Sequence, residues 1–204
     1  DIKFSGISWK GNDGFYFSTY EKPKGSQLTA KTQSHKLYYH RVATPRSEDK
    51  LIFGNDKDPR RYVGGGLTED ERFLIVSAAT STTGNELYIQ DLADPKGKLI
   101  VVVDNFDNEN AVIGNEGSRL LIQTNLNAPN NRVVEVDFSS PTSENWKDVI
   151  PETENVLSAA TGGGYLFADY TVDVKTKVKQ YDLKGQLIRE IELPGIGSAS
   201  GFSA

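Results

Sequence analysis

The chain has 204 residues, a formal net charge of −5 and charged residues at 25% of its positions, an ordinary balance for a globular protein. Phosphate backbones are bound by clustered lysine and arginine, and the basic residues here are scattered, so a nucleic-acid partner is not expected. The chain contains no cysteine and no methionine, which excludes disulfides, thiolate nucleophiles and cysteine-ligated metals.

No apolar run approaches the roughly 20 residues of a membrane helix, and no signal peptide is visible. We therefore expect a soluble protein without a membrane partner. The absence of cysteine fits the cytoplasm and the periplasm equally well. The chain begins at Asp1 without an initiator methionine and ends in “GFSA”. We interpret both ends as cut points within a larger protein.

Short segments of alternating apolar and polar residues follow one another along the chain. In order they are “FYFSTY”, “KLYYHRV”, “FLIVSA”, “ELYIQDL”, “LLIQTN”, “VVEVDF”, “YLFADY”, “VKQYDL” and “LIREIEL”. They are rich in valine, isoleucine, tyrosine and phenylalanine, and turn-forming residues separate them. The three- and four-residue spacing of an amphipathic helix is almost absent. These patterns predict an all-β chain.

These strands recur in a fixed order. Related strands begin at Lys36, Glu86, Arg132 and Lys177, so successive copies start 50, 46 and 45 residues apart. Each copy follows an acidic or glycine-containing turn and an apolar strand, and each precedes a further strand. A repeat of about 40–50 residues with four strands is typical of a β-propeller blade, which buries its faces by stacking on neighbouring blades.

We predict four blades, over residues 4–53, 63–103, 112–151 and 156–193, with the start of a further blade at 196–204. The chain would then be a partial arc of about four four-stranded blades from a larger ring.

Candidate catalytic and metal-binding motifs are weak. No G-x-S-x-G motif occurs. His35 and His40 are five residues apart on one strand, so they lie on opposite faces and cannot bind one metal ion together. The acidic run at 104–110 lacks the glycine and the distal glutamate of an EF-hand loop, which favours a solvated connection. We therefore predict no catalytic residue, metal or cofactor in this chain.

Two glycine triplets, Gly64–Gly66 and Gly162–Gly164, are not followed by Lys-Ser or Lys-Thr. We predict that both begin inner strands and bind no phosphate. Five aromatic residues at strand positions offer a stacking surface for a substrate, but packing between blades is the favoured interpretation. They are Trp9, Tyr38, Tyr39, Tyr88 and Tyr165.

Several stretches are more specific than a general blade pattern, namely “KFSGISW”, “HKLYYH”, “SEDKLIFG” and “TNLNAPNNRVVEVDF”. In these stretches, and in collinear order over nearly its whole length, the chain resembles the propeller domain of the prolyl oligopeptidase family. The resemblance implies a seven-bladed propeller joined to an α/β-hydrolase domain of the same chain. That domain carries the catalytic Ser, Asp and His, and the propeller limits substrates to short peptides cleaved after proline.

The resemblance also implies a substrate-pocket role for four residues. Phe4 in “KFSGISW” matches a pocket-lining phenylalanine, and Tyr62 stands where other members place an apolar side chain. Ala79 and Thr82 stand where some members carry Arg and Cys. An ionic contact from this loop to the substrate is therefore not expected here.

Two alternatives remain beside the substrate-gating portion of a prolyl oligopeptidase-like serine endopeptidase. A stand-alone β-propeller that binds a peptide or protein across its face would need a closed ring, and residues 1–2 and 201–204 supply no obvious complementary pair. A propeller glycosidase would need carboxylates converging at the axis. The predicted inner strands begin instead with serine, alanine and glycine.

Overall fold

The computed structural model describes residues 5–20, 33–195, 197 and 199–201. In this part of the chain every regular element is a β-strand, apart from two single-turn 3₁₀ segments at Arg46–Glu48 and Ser143–Asn145. The same residues contain no helix long and apolar enough to cross a membrane. The prediction of an all-β chain is confirmed.

The described strands form four antiparallel sheets of four, each ordered in space as in sequence. Sheet 1 comprises β1 (Ile7–Lys10), β2 (Gly14–Thr19), β3 (Lys36–Arg41) and β4 (Lys50–Phe53). Sheet 2 comprises β5 (Tyr62–Leu67), β6 (Phe73–Ala79), β7 (Glu86–Asp91) and β8 (Ile100–Val103). Sheet 3 comprises β9 (Asn110–Glu116), β10 (Arg119–Thr124), β11 (Arg132–Asp137) and β12 (Lys147–Ile150). Sheet 4 comprises β13 (Leu157–Gly162), β14 (Tyr165–Val172), β15 (Lys175–Tyr181) and β16 (Leu187–Ile191).

Four meandering four-stranded sheets confirm the predicted partial β-propeller. The chain divides into two compact units, Asp1–Asp107 and Asn108–Ala204. The first unit contains sheets 1 and 2, and the second contains sheets 3 and 4. Residues 196, 198 and 202–204, in the region of the predicted further blade, lie outside the described residues.

Sheets 1 and 2 pack face to face in the first unit. Tyr16 and Leu37 of sheet 1 form one buried cluster with Val63, Leu74 and Val76 of sheet 2. Full burial of side chains of this size stabilises the fold by about 1.5–3 kcal/mol each. Burial also raises the pKa of the Tyr16 phenol to about 12, so this side chain packs in the core as a neutral group.

In the second unit, sheets 3 and 4 pack in the same way. Leu121 and Val133 of sheet 3 contact Leu157, Leu166 and Tyr170 of sheet 4, and all five side chains are buried. Each unit therefore has its own apolar core, built from alternate residues of two neighbouring sheets.

The first glycine triplet lies within β5, the first strand of sheet 2, as predicted. A Cβ at Gly65 would lie 2.4 Å from Leu37 Cδ2, so the missing side chain lets the two sheets approach closely. The prediction for the second triplet is wrong. Gly162 ends β13, and Gly163 and Gly164 form the turn to β14 with φ of 57° and 81°. A tight reversal there needs positive φ, which glycine adopts at low cost.

Replacing Gly65 by alanine should destabilise the first unit. The new methyl group would press on the fully buried Leu37, and overpacking of this kind costs about 1–3 kcal/mol. Gly64→Ala is the matched control, because nothing lies within 4 Å of a Cβ built at Gly64. Its effect should stay within about 0.5 kcal/mol. Urea unfolding measures both variants, and equal unfolding free energies would contradict the packing explanation.

Candidate functional site

Two of the predicted pocket residues are direct cross-strand neighbours. Tyr62 begins β5, Ala79 ends β6, and the two are paired in the register of sheet 2. Thr82 follows in the exposed connection between β6 and β7. Phe4, the fourth predicted pocket residue, lies outside the described residues. The structure thus places three of the four residues at or just beyond one end of the β5–β6 pair.

A buried imidazole supports this end of the sheet. His35 is 5% exposed, and its Nδ1 accepts a hydrogen bond from the backbone N–H of Val63 at 2.9 Å. The rings of His35 and Tyr62 meet edge to face, with centroids 6.2 Å apart. Because Val63 directly follows Tyr62, this hydrogen bond fixes the backbone that presents the Tyr62 ring. That ring remains 46% exposed.

A buried ion pair lies beside the same strand end. Arg61 Nη2 donates to Glu86 Oε1 at 2.8 Å, and the Glu86 side chain is only 5% exposed. Burial raises the pKa of the Glu86 carboxyl above its ordinary value, while the Arg61 charge acts in the opposite direction. The Arg61 charge is therefore paired with a carboxylate within the fold. We call His35, Arg61, Tyr62, Ala79 and Glu86 together the Tyr62 rim.

The Tyr62 rim is suited to binding an apolar side chain. It presents an aromatic face and a methyl group to the outside, and its charged groups are paired beneath them. An aromatic contact of this kind contributes about 0.5–1.5 kcal/mol beyond the apolar area that it buries. The sequence resemblance named Tyr62 and Ala79, whose binding role stays a prediction, and it did not indicate the contacts of His35, Arg61 and Glu86 beside them. The position of Arg61 directly before Tyr62 was the signal in the sequence that could have indicated these contacts.

The two histidines have separate roles, which fits their predicted placement on opposite faces. His40 Nδ1 lies 2.6 Å from Asp49 Oδ1, on the strand face opposite to the one used by Leu37 and Tyr39. Within the described part of the chain, no group of three or more histidine, aspartate and glutamate side chains could hold a metal ion, and this includes the acidic run at 104–110.

The aromatic residues divide into two groups. Tyr39 and Tyr88 pack against the core of the first unit, as predicted, and Tyr38 stacks within sheet 1. Trp9 and Tyr165 are 56% and 41% exposed in the described part of the chain. By strand alternation, each lies on the face of its sheet opposite to the one that packs on the neighbouring sheet of its unit, so packing between blades stays a prediction for these two residues.

The second unit contains a cleft of about 310 Å³ lined by charges of both signs. Its lining includes two lysines, Lys177 and Lys179, and two glutamates, Glu154 and Glu190. Lys179 Nζ also lies 5.3 Å from the centre of the Tyr170 ring, so this cation already has an aromatic partner. The cleft therefore shows no excess of one charge that would select a ligand.

Comparisons with known proteins agree with this fold. The family model for the N-terminal β-propeller domain of prolyl oligopeptidase matches residues 1–204. The prolyl endopeptidase of Elizabethkingia meningoseptica is 51% identical over 99% of this chain and 29% of its own length. A solved prolyl endopeptidase matches 98% of this chain and 29% of that chain, with a TM-score of 0.88 and 29% identity.

A structure of prolyl oligopeptidase B from Galerina marginata, bound to a 35mer hydrolysis and macrocyclization substrate, also matches. Its TM-score is 0.86 at 28% identity, over 98% of this chain and 28% of that chain. The chain therefore spans less than a third of the length of the relatives that it matches.

Replacing Arg61 by methionine should destabilise the first unit, and the loss should grow with pH. Removing one partner of a buried ion pair costs roughly 3 kcal/mol when the remaining carboxylate is ionised. The folded pKa of Glu86 is already raised, and loss of Arg61 raises it further. The loss should therefore be small below the unfolded pKa of Glu86, where the carboxyl is protonated, and increase as pH rises through the folded pKa.

Urea unfolding at pH 4 and pH 8 would test this prediction. Arg60→Met is the matched control, since Arg60 is the exposed neighbour of Arg61. It should change the unfolding free energy by less than about 0.5 kcal/mol at either pH. A pH-independent loss in Arg61→Met would show that the arginine acts through packing alone.

Proposed function

Because the chain belongs to the prolyl oligopeptidase family, as part of its N-terminal β-propeller domain, we propose that it forms the non-catalytic, substrate-gating portion of a serine endopeptidase that cleaves short peptides after proline. The observation that carries the proposal is the match of the family model to residues 1–204. Relatives that bear the names prolyl endopeptidase and prolyl oligopeptidase, one of them solved with a 35mer substrate, support it.

In the proposed enzyme, the chemical step belongs to an α/β-hydrolase domain of the same polypeptide. Acyl transfer by such a domain needs a serine nucleophile, a histidine base and an acid that orients the histidine. Both histidines of this chain make structural contacts instead: His35 accepts from the Val63 backbone, and His40 pairs with Asp49. The propeller contributes by admitting and positioning the peptide.

We assign the outer part of the peptide-binding pocket to Phe4, Tyr62, Ala79 and Thr82. Tyr62 supplies the exposed aromatic face, and Ala79 leaves room beside it. Neither Ala79 nor Thr82 carries a charge. The pocket should therefore favour peptides with an apolar side chain at the contacted position and gain little from an acidic one.

The two alternative functions have less support. A stand-alone interaction module and a propeller glycosidase both fit a four-stranded repeat. The family match over residues 1–204 and the named relatives favour the peptidase assignment over either of them.

The full-length protein should cleave a short reporter peptide after proline. Replacing that proline by alanine should reduce kcat/KM at least about 100-fold, because the primary pocket would lose its ring contacts. A substrate of the same recognition sequence embedded in a folded protein domain should not be cleaved, because the propeller limits entry. Failure to cleave the short proline reporter would refute the proposed function, and cleavage of the folded substrate would refute gating.

Tyr62→Ala in the full-length enzyme should raise KM for a peptide that reaches the outer pocket by about 3- to 10-fold, because one aromatic contact is lost. The kcat should stay nearly unchanged, since Tyr62 does not contact the reacting atoms. For a truncated reporter that ends before this pocket, the variant and the parent enzyme should have the same KM. Tyr165→Ala, at another exposed tyrosine, is the matched control and should leave KM unchanged for both substrates.

A further inference from the structure

A side-chain hydrogen bond at the start of the third strand joins one sheet to the next within each unit. His35 and Asn131 occupy equivalent positions, directly before the repeated strand starts at Lys36 and Arg132. His35 Nδ1 accepts from the backbone N–H of Val63, and Asn131 Nδ2 donates to the carbonyl oxygen of Leu157, both at 2.9 Å. Val63 and Leu157 lie at the beginning of the first strand of the following sheet.

Sheet 4 makes the equivalent contact with the segment that follows its own last strand. Thr176, directly before the fourth repeated strand start at Lys177, is the counterpart of His35 and Asn131. Its Oγ1 accepts from the backbone N–H of Ala199 at 3.0 Å, and its own N–H donates to the carbonyl oxygen of Gly197 at 3.1 Å. Ala199 therefore stands where a following sheet would begin its first strand.

A second cross-sheet contact occurs further along the first strand. In the second unit, the backbone N–H of Ala159, two residues after Leu157, donates to Gln123 Oε1 at 2.7 Å. Gln123 is the fifth residue of β10, and its neighbour in the third strand is Val133. The Ala159 N–H is thus a backbone donor that is not bonded within the ladder of sheet 4, and the Gln123 side chain of the preceding sheet accepts its hydrogen bond.

Asp169 occupies the place of Gln123 in sheet 4. It is the fifth residue of β14, and its neighbour in the third strand is Val178, the counterpart of Val133. Within the described part of the chain, Asp169 Oδ1 is buried and has no hydrogen-bond partner. Burial accordingly raises the pKa of this carboxyl above its ordinary value. Leaving a buried acceptor without a donor costs free energy, so we expect Asp169 Oδ1 to accept a further hydrogen bond.

We infer that Asp169 is a positioning residue that accepts the backbone N–H of Gly201 and so anchors the first strand of a further sheet on this face of sheet 4. Gly201 follows Ala199 by two residues, as Ala159 follows Leu157. The anchored strand belongs to the same polypeptide, because the Ala199–Thr176 bond already brings the chain to this face. Gly201 has a φ of 84° in the structure, and the proposal requires it to become extended, which glycine does readily.

The pairing of an aspartate with a glycine also fits the available space. Aspartate is one methylene shorter than glutamine, so the strand must approach more closely than β13 approaches Gln123. Gly65, the counterpart of Gly201 in sheet 2, shows how this is done. A Cβ there would lie 2.4 Å from Leu37, the counterpart of Val178. Without a Cβ, Gly201 can approach sheet 4 as Gly65 approaches sheet 1.

Amide hydrogen exchange in the full-length protein tests this contact. The Gly201 amide should be protected, and Asp169→Ala should speed its exchange at least about 10-fold while the Ala199 amide stays protected. Asp169→Asn, which keeps an acceptor, should retain most of the protection. Gln123→Ala, observed at the Ala159 amide, is the matched positive control. An unprotected Gly201 amide, or one unaffected by Asp169→Ala, would overturn the inference.

Two further results keep the test decisive. If Asp169→Ala does not fold, Asp169→Leu fills the space of the side chain without an acceptor, and Asp169→Asn keeps one. Equal exchange rates of the Gly201 amide in these two variants would overturn the inference, and faster exchange in the leucine variant would support it. Protection that rises with protein concentration would assign the contact to a second copy of the chain and also overturn it. None of these readouts uses peptide cleavage, so their failure would leave the proposed function intact.

Discussion

The close approach of neighbouring sheets is the constraint on which the rest of this structure depends. In the first unit, Gly65 leaves room for Leu37, and a Cβ at that glycine would overlap the leucine side chain. In the second unit, a Cβ at Gly114 would lie 2.7 Å from Thr161 Oγ1. Glycines at these contacts allow two pleated surfaces to pack without a gap, because no side chain separates the backbone from the facing sheet.

This close packing buries the middle of each strand and leaves side chains exposed at the strand ends. Residues in the interior of β6, such as Leu74 and Val76, are buried against sheet 1. At the end of the β5–β6 pair, Tyr62 and Ala79 reach the surface while remaining attached to a rigid ladder. A binding side chain held in this way loses little conformational freedom when a ligand arrives, which favours recognition over chemistry.

Much of the fold could be predicted from the sequence, because each strand carries its own evidence in its alternation of apolar and polar residues. The repeat starting at Lys36 and Lys177 predicted four-stranded units, and strand order follows once every connection is short. Contacts between distant residues were less accessible. Arg61 and Glu86 meet only because the register of β6 and β7 brings a residue 25 positions away to the start of β5. Register depends on loop geometry, which single-sequence patterns do not encode.

The repeat is more informative about contacts between sheets when two positions are compared together. One position lies in the second strand of a sheet, and the other lies in the first strand of the next. The pairs are Ser18 with Gly65, Gln123 with Ala159, and Asp169 with Gly201. By repeat position, the short side chains, serine and aspartate, correspond to glycine in the next strand, whereas the longer glutamine corresponds to alanine, whose N–H it accepts. A side chain with a shorter reach needs the opposing backbone to come closer, and only glycine permits this approach. The two positions therefore form one unit of packing, and a change at either should be compensated at the other.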